Sequence, residues 1–288
     1  MTSTLETSSP SNDLIALDAP SGGQIGYRTF GSEGDWLVLI HGWCGSADHW
    51  NLIAPELSSD FRLLAVSHPG FGGMAAPGKA GQAVKAMGAT VAHLLHHLNI
   101  TGAILIGHSM GGPISTEVAI AAPDRVAGVI GLDTLSDRDY YGRVPDAEIR
   151  RRHDDFAVGY AANMRAMVNN IVHPTTDDAL RQVITDEMIA SAPAQFALDI
   201  KDDLFEWNAE ERWPLVACPK MLLNSPWVAR LAHPDPMPCF AETEIATYDS
   251  GHFPMIEAPA MIVEKLKTSL ERLVYQKSRI ECRAERKV

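Results

Sequence analysis

The sequence predicts an α/β fold in which a mostly parallel sheet is flanked by helices and carries a helical insertion. Three observations lead there. Short apolar runs alternate with helix-length amphipathic segments over the first 135 residues, the rhythm of a sheet built from strand–helix–strand units. The stretch Gly107-His108-Ser109-Met110-Gly111-Gly112 stands between the apolar run Ala103-Ile104-Leu105-Ile106 and a helix-like segment, Pro113 to Ala122. In that setting Gly-x-Ser-x-Gly forms a sharp turn that lifts the serine hydroxyl above the sheet. The alternation then stops at Asp133, and Ser136 to Trp213 contains no buried-strand signal.

The elements follow in order. Gln24 to Phe30 reads as a strand, and Trp36-Leu37-Val38-Leu39-Ile40 is continuously apolar, as a strand buried on both faces must be. Arg62 to Val66 is the next strand, ending at the turn-rich Ser67 to Gly73. Val84, Met87, Val91, Leu94, Leu95 and Leu98 recur at helical spacing within Gln82 to Leu98. Pro113 suits a first helical turn, where its missing N–H has no intrahelical acceptor to lose. Pro123-Asp124 ends that helix, and Val126 to Leu132 is a further strand. Charged, helix-compatible stretches follow at Asp146 to Val158, Ala161 to Ile171, Asp178 to Ala190 and Pro193 to Phe205, parted by clusters such as His173-Pro174-Thr175-Thr176. Strands resume at Lys220 to Leu223 and Thr243 to Tyr248, and Pro259 to Tyr275 is a last helix. The expected organisation is a disordered Ser/Thr-rich start over 1–12, a core formed by 13–135 and 214–275, a helical cap over 136–213, and a basic, frayed tail over 276–288.

The chain has 288 residues, 46% of them hydrophobic, enough for a large core. Its net charge of −12 argues against nucleic acid or an anionic membrane as partner. Cys44, Cys218, Cys239 and Cys282 form no C-x-x-C pair and suggest reduced intracellular thiols, with Cys44 a small buried hydrophobe. No signal peptide or bilayer-length apolar run is read, so the expectation is a soluble cytoplasmic protein. His93, His96 and His97 lack the His-Glu-x-x-His pattern; no metal or cofactor is expected, and the partner is a small-molecule substrate.

A serine hydroxyl needs a base, a group to orient that base, and donors for the oxyanion. For Ser109 the base is read as His252, which follows a strand in a loop marked by Gly251 and Pro254 and comes after the serine in chain order. One oxyanion donor would be the N–H of Met110, directly after the serine; the other would be Trp43, after His41-Gly42 in the early loop. His108 is expected to point away from the serine side chain, and His41 to hold its own loop together.

The motifs His41-Gly42-Trp43, His68-Pro69-Gly70-Phe71-Gly72, Gly107 to Gly112 and Gly251-His252-Phe253-Pro254 together resemble the α/β-hydrolase superfamily, especially its lid-bearing esterase-like members, over roughly residues 24 to 275. The resemblance implies a Ser–His–acid triad, a two-N–H oxyanion hole and a cap over the pocket. Many members carry the acid just after the strand that is Lys220 to Leu223 here, but this chain has Asn224-Ser225-Pro226-Trp227 there. Some relatives place it one strand earlier, where Asp133 stands; Asp235 is the runner-up, with Asp137 and Asp249 behind. Ser67 also replaces an aspartate usual at that strand end.

The function so implied is hydrolysis of a small, apolar ester through an acyl-enzyme. Phe156, Met164, Met167, Phe196 and Phe205 offer either an apolar pocket wall or the cap's own core. Other chemistries stay open on the same fold: a cofactor-free dioxygenase acting on a hydroxylated N-heteroaromatic, which the Gly42-Trp43-Cys44 region also resembles, or a carbon–carbon bond hydrolase. A ligand receptor that keeps the fold is the non-enzymatic alternative.

Overall fold

A computed structural model describes residues 14–78, 82–230 and 237–285. The expected disordered start over 1–12 and the runner-up acid Asp235 lie outside the described residues. The strands are β1 Ile15–Asp18, β2 Gln24–Phe30, β3 Trp36–Ile40, β4 Arg62–Ser67, β5 Ala103–His108, β6 Val126–Leu132, β7 Lys220–Asn224 and β8 Glu244–Thr247. The helices of the first half are α1 Ala54–Leu57, α2 Ala83–His97 and α3 Gly111–Ala121. Between β6 and β7 run α4 Arg138–Tyr141, α5 Asp146–Ala157, α6 Tyr160–Ile171, α7 Asp178–Ala190, α8 Ala194–Glu206 and α9 Ala209–Arg212. After β7 come α10 Pro226–Ala229, α11 Pro254–Glu257 and α12 Pro259–Glu285.

All eight strands form one sheet in the order β1-β2-β4-β3-β5-β6-β7-β8. The first two pairings, β1 with β2 and β2 with β4, are antiparallel; every other pairing is parallel. The apolar runs occupy the middle. Leu37 to Ile40, Leu63 to Val66 and Leu105 to Ile106 have no accessible surface, because helices cover both faces of the parallel strands. Since consecutive parallel strands run the same way, the C-terminal ends of β3, β5, β6 and β7 lie side by side. Ile40 pairs with Gly107, Gly107 with Gly131 and Leu132 with Leu223. Ligands of open α/β sheets bind at this edge.

Two details differ from expectation. The strand β1 is exposed and only four residues long, with Ile15 45% accessible, so it lacks the apolar run that marks the others. The last helix continues to Glu285, through ten residues expected to fray, because nothing after Tyr275 breaks it. Among the described residues no helix is long and apolar enough to cross a membrane.

Candidate active site

The serine turn is held in a conformation that L-residues avoid. Ser109 has φ 52°, at the junction of β5 and α3, a strain of about 1–2 kcal/mol that the surrounding packing must hold. Its neighbours explain why glycine flanks it: a Cβ on Gly107 would stand 2.1 Å from the Gly111 carbonyl oxygen. The backbone is pinned on both sides. The Ser109 N–H donates to Leu132 O at 3.0 Å, and the Thr134 hydroxyl donates to Ser109 O at 2.6 Å.

The next strand end carries Asp133, which is buried and has φ 47°. Its two carboxylate oxygens are used separately. Oδ2 accepts the His252 Nδ1–H at 2.6 Å, and Oδ1 accepts the Ser225 N–H at 2.9 Å. The fully buried Tyr248, whose hydroxyl reaches Asp133, is pushed well above the usual tyrosine range by burial and then by that negative charge. Asn224, at the strand end where many relatives keep an acid, braces the aspartate's loop instead. Its Oδ1 accepts the Thr134 N–H at 3.2 Å, and its Nδ2 donates to Thr134 O and to Ser136 Oγ, both at 3.0 Å. Neighbouring strand ends thus exchange the two jobs of carrying a carboxylate and fixing its loop.

His252 is seated by three further contacts. Its N–H donates to Ile171 O at 2.9 Å, at the end of α6. Its carbonyl accepts the His108 Nε2–H at 2.6 Å, and the two imidazoles stand 4.7 Å apart. His108 was expected only to avoid the serine side chain; it supports the His252 loop, a role its sequence position does not signal. Glu257 closes the loop from the other side: Oε1 accepts the Phe253 N–H at 2.9 Å, while Oε2 accepts the His173 N–H and the Thr176 hydroxyl, each at 2.7 Å.

Opposite the serine, Gly42 leaves no room for a side chain: a Cβ there would meet Ser109 Cβ at 2.9 Å and His108 Nδ1 at 3.1 Å. His41 holds its loop as expected, donating from Nδ1 to Gly42 O at 2.7 Å and accepting the His68 N–H at Nε2, 3.0 Å away. Burial, reinforced by His68, keeps His41 neutral well below the usual histidine range. Ser67 Oγ braces the same loop, accepting the Ala47 N–H at 2.9 Å. Among the described residues, neither the Trp43 N–H nor the Met110 N–H has a hydrogen-bond acceptor. Cys44 is buried, at φ 55°, and burial pushes its thiol up to about 12, which makes it inert.

Ser109, Asp133, His252, Gly42 and Trp43 all border one cavity of about 430 Å³. Its far wall comes from the helices between β6 and β7: Tyr140, Tyr141, Met167, Ile171, Met188, Lys201 and Leu204. The Tyr141 hydroxyl lies within hydrogen-bonding reach of the Ser109 and Thr134 side chains. Of the aromatic and methionine residues singled out from the sequence, Met167 borders this cavity, Met164 is fully buried, and Phe196 packs on Phe71 at 5.6 Å. Phe156 and Phe205 line an adjoining recess with Lys201 and Met167.

The family described as the alpha/beta hydrolase fold matches residues 35–176. The dihydrolipoyllysine-residue acetyltransferase component of the acetoin cleaving system of Pseudomonas putida is 33% identical over 201 residues, 64% of this chain and 51% of that protein. The pimeloyl-[acyl-carrier protein] methyl ester esterase of Sodalis glossinidius is 34% identical over 124 residues, 42% of this chain and 46% of that protein. The chain thus spans about half the length of these two relatives. Among solved structures, a thermophilic esterase from Thermogutta terrifontis superimposes with a TM-score of 0.74 at 20% identity, covering 91% of this chain and 99% of that one.

Proposed function

Since the chain belongs to the α/β-hydrolase fold superfamily, we propose that it is a serine hydrolase cleaving a small carboxylic ester, with Ser109 as nucleophile, His252 as base and Asp133 as the orienting acid. The observation that carries this is the 2.6 Å bond from His252 Nδ1 to Asp133, on the wall of the cavity that also holds Ser109 in its strained turn. The helices of residues 136–213 act as the cap that walls the substrate off from water.

A carboxylate accepting the Nδ1–H fixes the tautomer and leaves the Nε2 lone pair as the base. Nε2 takes the Ser109 proton as Oγ attacks the substrate carbonyl. The resulting oxyanion is held by the Trp43 and Met110 N–H groups, which have no acceptor within the described residues. The imidazolium returns the proton to the departing alcohol, leaving an acyl ester on Ser109. A water, deprotonated by His252, then releases the acid and restores the serine. Asp133 stays ionised throughout, stabilising the imidazolium.

The test is covalent. A fluorophosphonate should add its phosphorus to Ser109 Oγ, found by peptide mass spectrometry, and p-nitrophenyl acyl esters should be turned over. An unlabelled Ser109 in protein that turns over none of these esters would refute the assignment.

A further inference from the structure

Lys201 lies on the buried face of α8, one helical turn after Ala197 and one before Phe205. It is 8% accessible. Its ammonium sits in an aromatic box, 3.7 Å from the centroid of Phe156, 4.8 Å from that of Trp43 and 6.0 Å from that of Phe205. Among the described residues it makes no hydrogen bond and no ion pair. The ring faces attract its charge, but an ammonium has three N–H donors, and Nζ is not sealed off, so those donors are open to the cavity. Of its charged neighbours, Asp202 bonds His153 Nδ1 at 2.6 Å and Arg152 bonds Glu148 at 2.7 Å, while Asp137 borders the same cavity without a hydrogen bond or ion pair to Lys201. Cys44 beside it is a neutral thiol. Burial brings the ammonium down to about 8, so at neutral pH it still carries its proton.

Lys201 also borders the cavity that holds Ser109 and His252. Building on the hydrolytic reading above, we propose that Lys201 binds a carboxylate carried by the substrate, so that the pocket takes a monoanionic ester, such as a half-ester of a dicarboxylic acid. A single carboxylate matches the charge of Lys201, which has no ion-pair partner among the described residues, and the aromatic and methionine walls suit the methylenes between its two ends. The same Trp43 whose N–H is proposed to hold the oxyanion has its ring beside Lys201 and its Nε1–H bonded to Ala197 O at 2.6 Å. The anion seat and the reacting carbonyl are therefore tied to one residue.

The test compares monomethyl esters of succinic, glutaric and adipic acids with the corresponding dimethyl esters at pH 7. The wild-type chain should favour the best half-ester over its dimethyl ester by about 10- to 100-fold in kcat/KM, the range of a charge-assisted hydrogen bond in a desolvated site. In Lys201→Met, which keeps the stem and loses the charge, that ratio should fall to about one or below; Lys201→Arg should keep part of it. Independently of turnover, millimolar glutarate or adipate should raise the melting temperature of the wild type and not of Lys201→Met, whereas the uncharged glutaramide should raise neither. No half-ester preference in the wild type, or an unchanged preference in Lys201→Met with Ser109 still labelled, would overturn the proposal. Dicarboxylate stabilisation that depends on Lys201 in a protein whose Ser109 does not react would instead support the anion seat and remove the hydrolase.

Discussion

The floor of the cavity and its roof are built by opposite rules. The floor, at the ends of β3, β5, β6 and β7, is polar and closely cross-braced. Asp133 uses both oxygens, Asn224 uses both ends of its amide, and Ser109 and Asp133 are held at positive φ. The roof is mixed and less closely braced: Met167, Met188 and Leu204 stand with Tyr140, Tyr141, Asp137 and Asn170 around one cation, Lys201, that has no hydrogen-bond acceptor among the described residues. A braced floor fixes geometry, which the chemical step needs and which little variation can survive. On the proposed reading, the roof with its methionines and one charge selects the molecule admitted and can vary without touching the chemistry.

Changes that test this contrast can be ranked. Asp133→Asn should lower kcat by about 10³- to 10⁴-fold for every ester, by favouring the wrong imidazole tautomer; steady-state kinetics on neutral and anionic esters check it, and a selective loss would break the floor–roof division. Gly42→Ala should cost about 100-fold, because its Cβ would meet Ser109 Cβ at 2.9 Å and displace the reacting groups. Fluorophosphonate labelling rates report that displacement directly. Glu257→Gln stands where floor and roof join. It should lower kcat about tenfold and the melting temperature by several degrees, as the bonds to Phe253, His173 and Thr176 weaken.

The loops after β3 and β4, which carry the buried His49 and His68, also predict acid lability. Burial holds His49 down to about 4 and His68 to about 3. Above pH 6.5 both are neutral folded and unfolded. Below it the unfolded chain binds protons that the folded one refuses, so stability falls from pH 6.5 towards pH 4 for His49 and towards pH 3 for His68. The slope is about 1.4 kcal/mol per pH unit per histidine. Denaturant midpoints across pH 4 to 7 should show it, and His49→Phe should flatten the curve. The smallest effect belongs to the roof: Met188→Phe, which fills part of the cavity, should reduce turnover of longer acyl chains relative to acetyl by roughly three- to tenfold. Chain-length profiles decide this.

The sheet was legible because its central strands are buried on both faces and therefore continuously apolar. The edge strand β1 was not, since its pattern depends on what it pairs with. Ser109 and His252 announce themselves through glycines and chain order. Asp133 was legible only as the first of four candidate aspartates, because the seat after β7 holds Asn224, whose bracing role exists only once β6 and β7 are paired at Leu132 and Leu223. Lys201 could not be read at all. It stands in Lys201-Asp202-Asp203, which looks like a solvated face, and only the packing of α8 against Trp43 and Phe156 buries it. His108 and Glu257 act through contacts more than 80 residues distant in sequence, which no local pattern encodes.

The bonds from His252 to Ile171 and from Glu257 to His173 and Thr176 have a consequence for exchanging parts between relatives. Residues 136–213 look like a detachable module, bounded by two strands of the sheet. Yet the stretch 171–176 within them is one half of the seat for His252, and the other half lies some eighty residues later. A chimera that imports foreign helices without a matching partner for Glu257 would loosen the imidazole that the transplant was meant to leave alone. The workable seam runs around 171–176, leaving that short stretch with the host.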